Sequence, residues 1–226
     1  GLVNVAALSA GIPLSPISVA YSMMSSDYAK LKHCFDLVAP GMIYVENGMQ
    51  FEKALDNLNL NNVHVVCSNN PSKNFKMKLF SDLVSTTPSD ALQKIYDSVN
   101  HDSIAKYLFT SGSTGMPKGV INTQLMLCTN MQQVEQIRPH EMDEHNVVVD
   151  WLPWNHTMGG NHIFNGIFWS GGSLYIDKGR PILGMFDETV KNLKEISPSY
   201  YTSVPAGLAM LLENLKSFTY TPIVLC

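Results

Sequence analysis

The chain has 226 residues, 45% of them hydrophobic and 15% charged, with mean hydropathy near zero. That composition is that of a folded globular protein, excludes a disordered chain, and suits one large domain or two small ones. Fifteen basic and 19 acidic residues leave a formal charge of −4 without a Lys/Arg cluster, which argues against an electrostatic grip on nucleic acid or an acidic membrane.

In chain order, Leu2 to Ala10 reads as a helix closed by Gly11, where a left-handed residue commonly ends a helix. IPLSPISVAY, with two prolines, reads as an extended strand and loop. Ser25, Ser26 and Asp27 supply a polar start for a helix with Tyr28, Leu31, Phe35 and Val38 at helical spacing, stopped by Pro40 and Gly41. Met42 to Val45 and Val63 to Cys67 read as short buried strands, with a helix from Phe51 to Leu58 between them. A helix from about Ser89 to Val99 puts Leu92, Ile95 and Val99 on one face, and a strand from Ile104 to Phe109 runs into a glycine-rich loop. Beyond it come a strand at Gly119 to Asn122, a long helix from Gln124 to Ile137, a strand at Val147 to Trp151 and the segment WLPWNHTMGGNHIF. A strand around Leu174, a helix near Val190 and another after Pro205 complete the series.

Short apolar strands alternating with amphipathic helices define an α/β chain with largely parallel, layered sheets. Ligands of such sheets gather at the carboxyl ends of strands, which points to the loop FTSGSTGMPKG, Phe109 to Gly119. Gly112, Gly115 and Gly119 let backbone N–H groups approach an anion. Thr110, Ser111, Ser113 and Thr114 add hydroxyl donors, and Lys118 a compact positive charge. The spacing is not that of G-x-x-x-x-G-K-[ST]: counting from Gly112, Pro117 stands where the second glycine belongs, and Gly119 where Ser or Thr belongs.

The loop FTSGSTGMPKG closely resembles the signature of the adenylate-forming superfamily, which includes acyl-CoA and aryl-CoA synthetases, firefly luciferase and peptide-synthetase adenylation domains. WLPWNHTMGG resembles the family's next motif and SYYTSVPAGLAMLLENL the strand and helix that follow, so that nearly the whole chain matches the large N-terminal domain. Within the superfamily, AGIPLSPISVAYSMMSSDYAKLKHCFDLVAPGMIYVEN and DWLPWNHTMGGNHIF are most similar to feruloyl-CoA synthase and other aryl-acid-activating enzymes. The resemblance implies ATP-dependent activation of a small carboxylic acid: an acyl-adenylate forms first, and coenzyme A then displaces AMP. It implies ATP, Mg²⁺ and coenzyme A as reactants. Thr110, Ser111, Gly112, Ser113, Thr114, Gly115 and Lys118 are expected on the ATP phosphates, with Lys118 drawing off pyrophosphate. His156 is expected beside the acyl-adenylate carboxyl, and Trp154, Gly159, Asn161 and His162 around the acyl pocket.

Trp151, Phe164 and Phe168 are further candidates for a flat aromatic wall. Asp177, Lys178 and Arg180 read as a solvated turn, and Glu135, Glu141, Asp143 and Glu144 as helix surface. Cys34, Cys67, Cys128 and Cys226 have neither CxxC nor metal-ligand spacing, which predicts no metal site and a reducing cytoplasm. No apolar run reaches the ~18 residues of a spanning helix. The chain starts at Gly1 within an apolar stretch and stops at TPIVLC, a strand pattern, which suggests a fragment. The family's later motifs and its mobile C-terminal domain are therefore expected outside it. The loop alone leaves other readings open: a non-catalytic nucleotide-binding module, a peptide-synthetase adenylation domain or a luciferase-like oxidase.

Overall fold

The computed structural model describes residues 1–110, 115–214 and 224–225. Two compact units divide the chain, Gly1–Gln124 and Leu125–Cys226.

In the first unit, helix α1 (Leu2–Ser9) ends at Gly11, whose φ of +62° is the left-handed conformation expected of it. The next segment departs from the expected extended run: Leu14 makes a parallel bridge to Lys106, and Val19–Met23 then coils into α2. Pro13 and Pro16 lie upstream of that helix, so neither removes a hydrogen bond from it. Helix α3 (Ala29–Val38) opens on the predicted polar residues, the Tyr28 N–H donating to Ser25 Oγ and the Ala29 N–H to Asp27 Oδ1, both at 3.0 Å. It buries Leu31 and Cys34.

Strand β1 (Met42–Asn47), helix α4 (Glu52–Asp56), β2 (His64–Asn69), β3 (Met77–Leu79) and helices α5 (Phe80–Val84) and α6 (Asp90–Ser98) follow. The three strands form a parallel sheet in the order β1-β2-β3, with Val65, Val66 and Cys67 in the core. Strands β4 (Ile104–Thr110) and β5 (Lys118–Thr123) make an antiparallel pair, the one antiparallel pairing among the described strands.

The second unit is a parallel sheet in the order β7-β6-β8-β9, built from β6 (Val147–Asp150), β7 (Ser173–Ile176), β8 (Tyr200–Tyr201) and β9 (Val224–Leu225). Its helices are α7 (Gln124–Ile137), α8 (Phe164–Ser170), α9 (Phe186–Ile196) and α10 (Pro205–Asn214). Alternation along β6 sends Val148 into a cluster with Leu152, Ile163, Ile167 and Tyr200. Val149 enters another cluster with Phe186, Val190, Leu193, Tyr201 and Leu211. Each fully buried side chain of this kind contributes roughly 1.5–3 kcal/mol. The central strand is thereby clamped from both sides, and its carboxyl end at Asp150 is a fixed point. The α/β class with parallel sheets is as expected.

Candidate functional site

The glycine-rich loop joins β4 to β5. Thr110 pairs with Lys118 and Phe109 with Gly119, and Thr110 Oγ1 donates to the Lys118 carbonyl at 3.5 Å. Gly115 has φ +91° with open space where a Cβ would stand, so it is needed there for backbone conformation and not for room. Pro117 is fully buried, and its carbonyl accepts a hydrogen bond from His33 Nε2 of α3 at 2.9 Å. Lys118 is exposed. The predicted donors Ser111, Gly112, Ser113 and Thr114 lie outside the described residues. The hairpin thus holds both arms of the loop, with an exposed ammonium at the head of the return strand.

In the second unit the other predicted residues follow β6. The Leu152 N–H donates to Asp150 Oδ1 at 3.1 Å, and the chain then turns through Pro153 and Trp154 into a π-helical turn, Met158–Ile163. Single π turns inside helices often mark functional sites. The two glycines are required by close approach: a Cβ on Gly159 would stand 2.8 Å from the carbonyl oxygens of Leu152 and Pro153, and one on Gly160 would stand 2.2 Å from that of Trp154.

His156 is exposed; its N–H donates to the Pro153 carbonyl at 3.0 Å and its own carbonyl accepts from the Gly160 N–H at 2.8 Å. Its Nδ1 accepts from the Met158 N–H at 3.3 Å, which leaves the ring proton on Nε2. Asn161 is buried and donates through Nδ2 to Thr157 Oγ1 at 3.3 Å. Trp154 stacks on Phe164, centroids 4.7 Å apart and planes tilted by 48°. Trp151 packs against both core clusters and donates through Nε1 to Ser203 Oγ at 3.2 Å. Phe168 is 63% exposed.

Two readings of charged residues as surface are corrected. Glu141, in a 3-10 turn (Pro139–Met142), is only 2% exposed. Arg138 Nη1 lies 2.8 Å from its Oε1, and His162 Nε2 lies 3.4 Å from its Oε2. Burial pushes the His162 pKa down, and the Glu141 charge opposes that. Asp177 is likewise buried, while Lys178 and Arg180 are exposed. Asp177 Oδ1 accepts from the Gly179 N–H at 2.7 Å and from Asn192 Nδ2 at 2.8 Å. Both carboxylates have partners that make burial tolerable, Arg138 and His162 for Glu141 and the Gly179 N–H and Asn192 for Asp177; of these, His162 and Asn192 are distant in sequence.

Asp150 was not expected at all. It is 3% exposed, and its Oδ2, like Asp177 Oδ2, is buried without a hydrogen-bond partner among the described residues. Burial, helped by the Asp177 charge and opposed by the Leu152 N–H, raises its pKa to about 7. Lys106 on β4 is also buried, which lowers its pKa to about 8. Among the described residues no group of three or more His, Cys, Asp or Glu is placed to hold a metal, and no helix is long and apolar enough to cross a membrane.

The first unit carries the arms of the glycine-rich loop on β4 and β5, and the second carries a histidine-bearing turn after the carboxyl end of β6. A model of the AMP-binding enzyme family matches residues 2–222, and the chain belongs to that family. It is 27% identical over 146 residues to a long-chain-fatty-acid CoA ligase of Homo sapiens, a match covering 63% of this chain and 20% of that protein. It is 31% identical over 149 residues to an oxalate CoA ligase of Arabidopsis thaliana, covering 62% of this chain and 27% of the relative. Among solved structures, a malonyl-CoA ligase with methylmalonyl-CoA and AMP bound superposes with a TM-score of 0.67 at 21% identity, covering 95% of this chain and 39% of the other. That likeness shows the shared fold. The chain matches about a fifth of the length of the human relative.

Proposed function

We propose that the protein carrying this chain activates a carboxylic acid with ATP, forming an acyl-adenylate and pyrophosphate, and passes the acyl group to the thiol of coenzyme A. The observation that carries the reading is the loop: a glycine-rich, hydroxyl-rich connection pinned on a hairpin, with Lys118 exposed at its return, in a chain of the AMP-binding family. A carboxylate approaching a polyphosphate meets like charge. Fixed backbone donors and an ammonium at the β- and γ-phosphates lower that barrier by positioning and electrostatic stabilisation. On this reading Thr110 and Gly115 help to form the cradle and Lys118 steadies the departing pyrophosphate. Mg²⁺ would arrive with ATP as part of the substrate; the described residues offer it no cluster of ligands.

The acid is proposed to sit along the turn bearing His156, Gly159, Gly160, Asn161 and His162, with Trp154 beside it. His156 has its ring proton on Nε2 and can donate to a carboxyl oxygen. We further propose an aryl acid of the phenylpropanoid type, supported by the likeness of the two long segments to feruloyl-CoA synthase, and a reducing cytoplasmic setting, in keeping with the free thiols of Cys34, Cys67 and Cys128. Because the chain covers 39% of the malonyl-CoA ligase, the remaining parts of the site are proposed to lie elsewhere in the complete protein.

The test is pyrophosphate release by the complete protein with cinnamic, benzoic, oxalic and fatty acids, with and without coenzyme A. Turnover with cinnamic or benzoic acids supports the proposal in full. Turnover with fatty acids alone rejects the aryl reading, and no acid-dependent pyrophosphate release rejects adenylation. Pyrophosphate release that yields a thioester only on a carrier protein places the chain with peptide-synthetase adenylation domains.

A further inference from the structure

We infer that Glu141 is a positioning residue for the acid-binding turn: it fixes His162 as the Nε2–H tautomer and holds the far end of the π-helical turn Met158–Ile163 against the 3-10 turn Pro139–Met142. The use of that turn for the acid rests on the function proposed above. The anchor itself stands on the geometry alone.

A carboxylate 2% exposed is retained in a fold only when it is compensated. Arg138, three residues earlier, supplies the compensating charge at 2.8 Å from Oε1. That charge contact falls outside hydrogen-bond geometry and leaves Oε1 with acceptor capacity. Oε2 faces His162 Nε2 at 3.4 Å. Arg138 and Glu141 are the charged groups that act on the imidazole, and burial favours its neutral form. A neutral imidazole beside a carboxylate must present N–H to it, which fixes Nε2 as the donor and leaves Nδ1 as an acceptor.

The turn between these points has little freedom. Its near end is seated by Gly159 and Gly160 against the carbonyls of Leu152, Pro153 and Trp154. Asn146 Nδ2 donates to the His140 carbonyl at 2.6 Å, holding the 3-10 turn that carries Glu141. The glycines and the His162 contact therefore bracket Asn161, and His156 is tied to the same turn through the Gly160 N–H and the Met158 N–H. A shift of the far end moves His162 and the adjoining Asn161, and displacements near 1 Å in reacting groups cost up to about 100-fold.

Two readouts test this. Long-range ¹H–¹⁵N spectra of the 226-residue chain report the His162 tautomer without any ligand: Nε2–H near neutral pH is expected, and Nδ1–H overturns the inference with no variant needed. In the complete protein, Glu141→Ala is expected to raise KM for the carboxylic acid roughly tenfold while KM for ATP stays within twofold. Glu141→Gln keeps an acceptor for Nε2–H and is expected to restore both the tautomer and most of the acid KM. If Glu141→Ala leaves the acid KM unchanged, raises both KM values alike, or is not rescued by Glu141→Gln, the inference fails. If the tautomer is as expected and no acid supports pyrophosphate release, the anchor stands and the proposed activity falls.

Discussion

The two regions that carry candidate chemistry are built in opposite ways. The loop of the first unit hangs on a hairpin whose return residues Gly115, Met116, Lys118 and Gly119 are exposed, and its fixed points are backbone pairs and one histidine contact to a buried proline. The turn of the second unit is seated in the core: Gly159, Gly160, Asn161 and Ile163 are buried, and the carboxyl groups of Glu141 and Asp150 near it are buried as well. On the function proposed above, the exposed Lys118 would meet the charged part of the substrate and the buried turn its acyl part. The difference predicts that changes in the second unit register first in stability, and changes in the first unit register in nucleotide handling with the fold intact.

The largest expected effect is at Gly160. A Cβ there meets the Trp154 carbonyl at 2.2 Å, a contact with backbone that no side-chain rotation relieves. Gly160→Ala should destabilise the chain by about 3 kcal/mol or more in chemical denaturation, at or above the upper range for overpacked cores. Gly115→Ala meets open space but must hold φ +91°, and so should cost less, roughly 1 kcal/mol. Equal losses at both positions would erase the contrast between the units.

Next in size is a pH effect in the second unit. The folded-state pKa of Asp150 is raised from 3.8 to about 7, so the folded chain binds a proton more tightly than the unfolded one. Its stabilising contribution is full below about pH 4 and is lost as pH rises through about 7, at up to about 1.4 kcal/mol per pH unit between those values. Asp150→Asn should flatten that slope in denaturation curves taken between pH 4 and 8. An unchanged slope would mean that Asp150 is ionised in the folded chain.

These residues also mark how far the sequence alone reaches. Helix α7 was legible to both ends, Gln124 and Ile137, and Gly11 had its left-handed role, because periodicity and glycine conformation are local properties. The two strands beside the loop, expected at Ile104 to Phe109 and Gly119 to Asn122, lie within β4 and β5, although their antiparallel pairing was not legible. Strand β3 and helix α5 escaped notice: Met77–Leu79 has only three residues and runs straight into the five of Phe80–Val84, so each pattern is too short to repeat. The burial of Glu141, Asp150 and Asp177 escaped for a different reason. His162 and Asn192 reach the first and last of these from 21 and 15 positions away, and only the fold brings them together. The one local hint was Arg138, spaced three residues before Glu141.

In the first unit, Lys118→Ala should leave the melting transition where it is, since the side chain is exposed. If Lys118 steadies the departing pyrophosphate, the same change should cut pyrophosphate release by the complete protein about 100-fold, the scale for removing one preorganised electrostatic group. A loss of fold with Lys118→Ala, or full turnover, would each contradict the division of labour between the units.

The smallest effect separates loop position from loop charge. His33 Nε2 donates to the Pro117 carbonyl at 2.9 Å, and Pro117 directly precedes Lys118. A net hydrogen bond of this kind contributes about 1 kcal/mol. His33→Ala should therefore weaken the return arm by about that much and raise KM for ATP roughly fivefold, with KM for the acid unchanged. His33→Gln, whose amide can donate to the same carbonyl, should recover part of the loss, whereas His33→Leu should not. If all three variants behave alike, the ring serves only as packing beneath the loop, and β4–β5 pairing alone sets where Lys118 begins its strand.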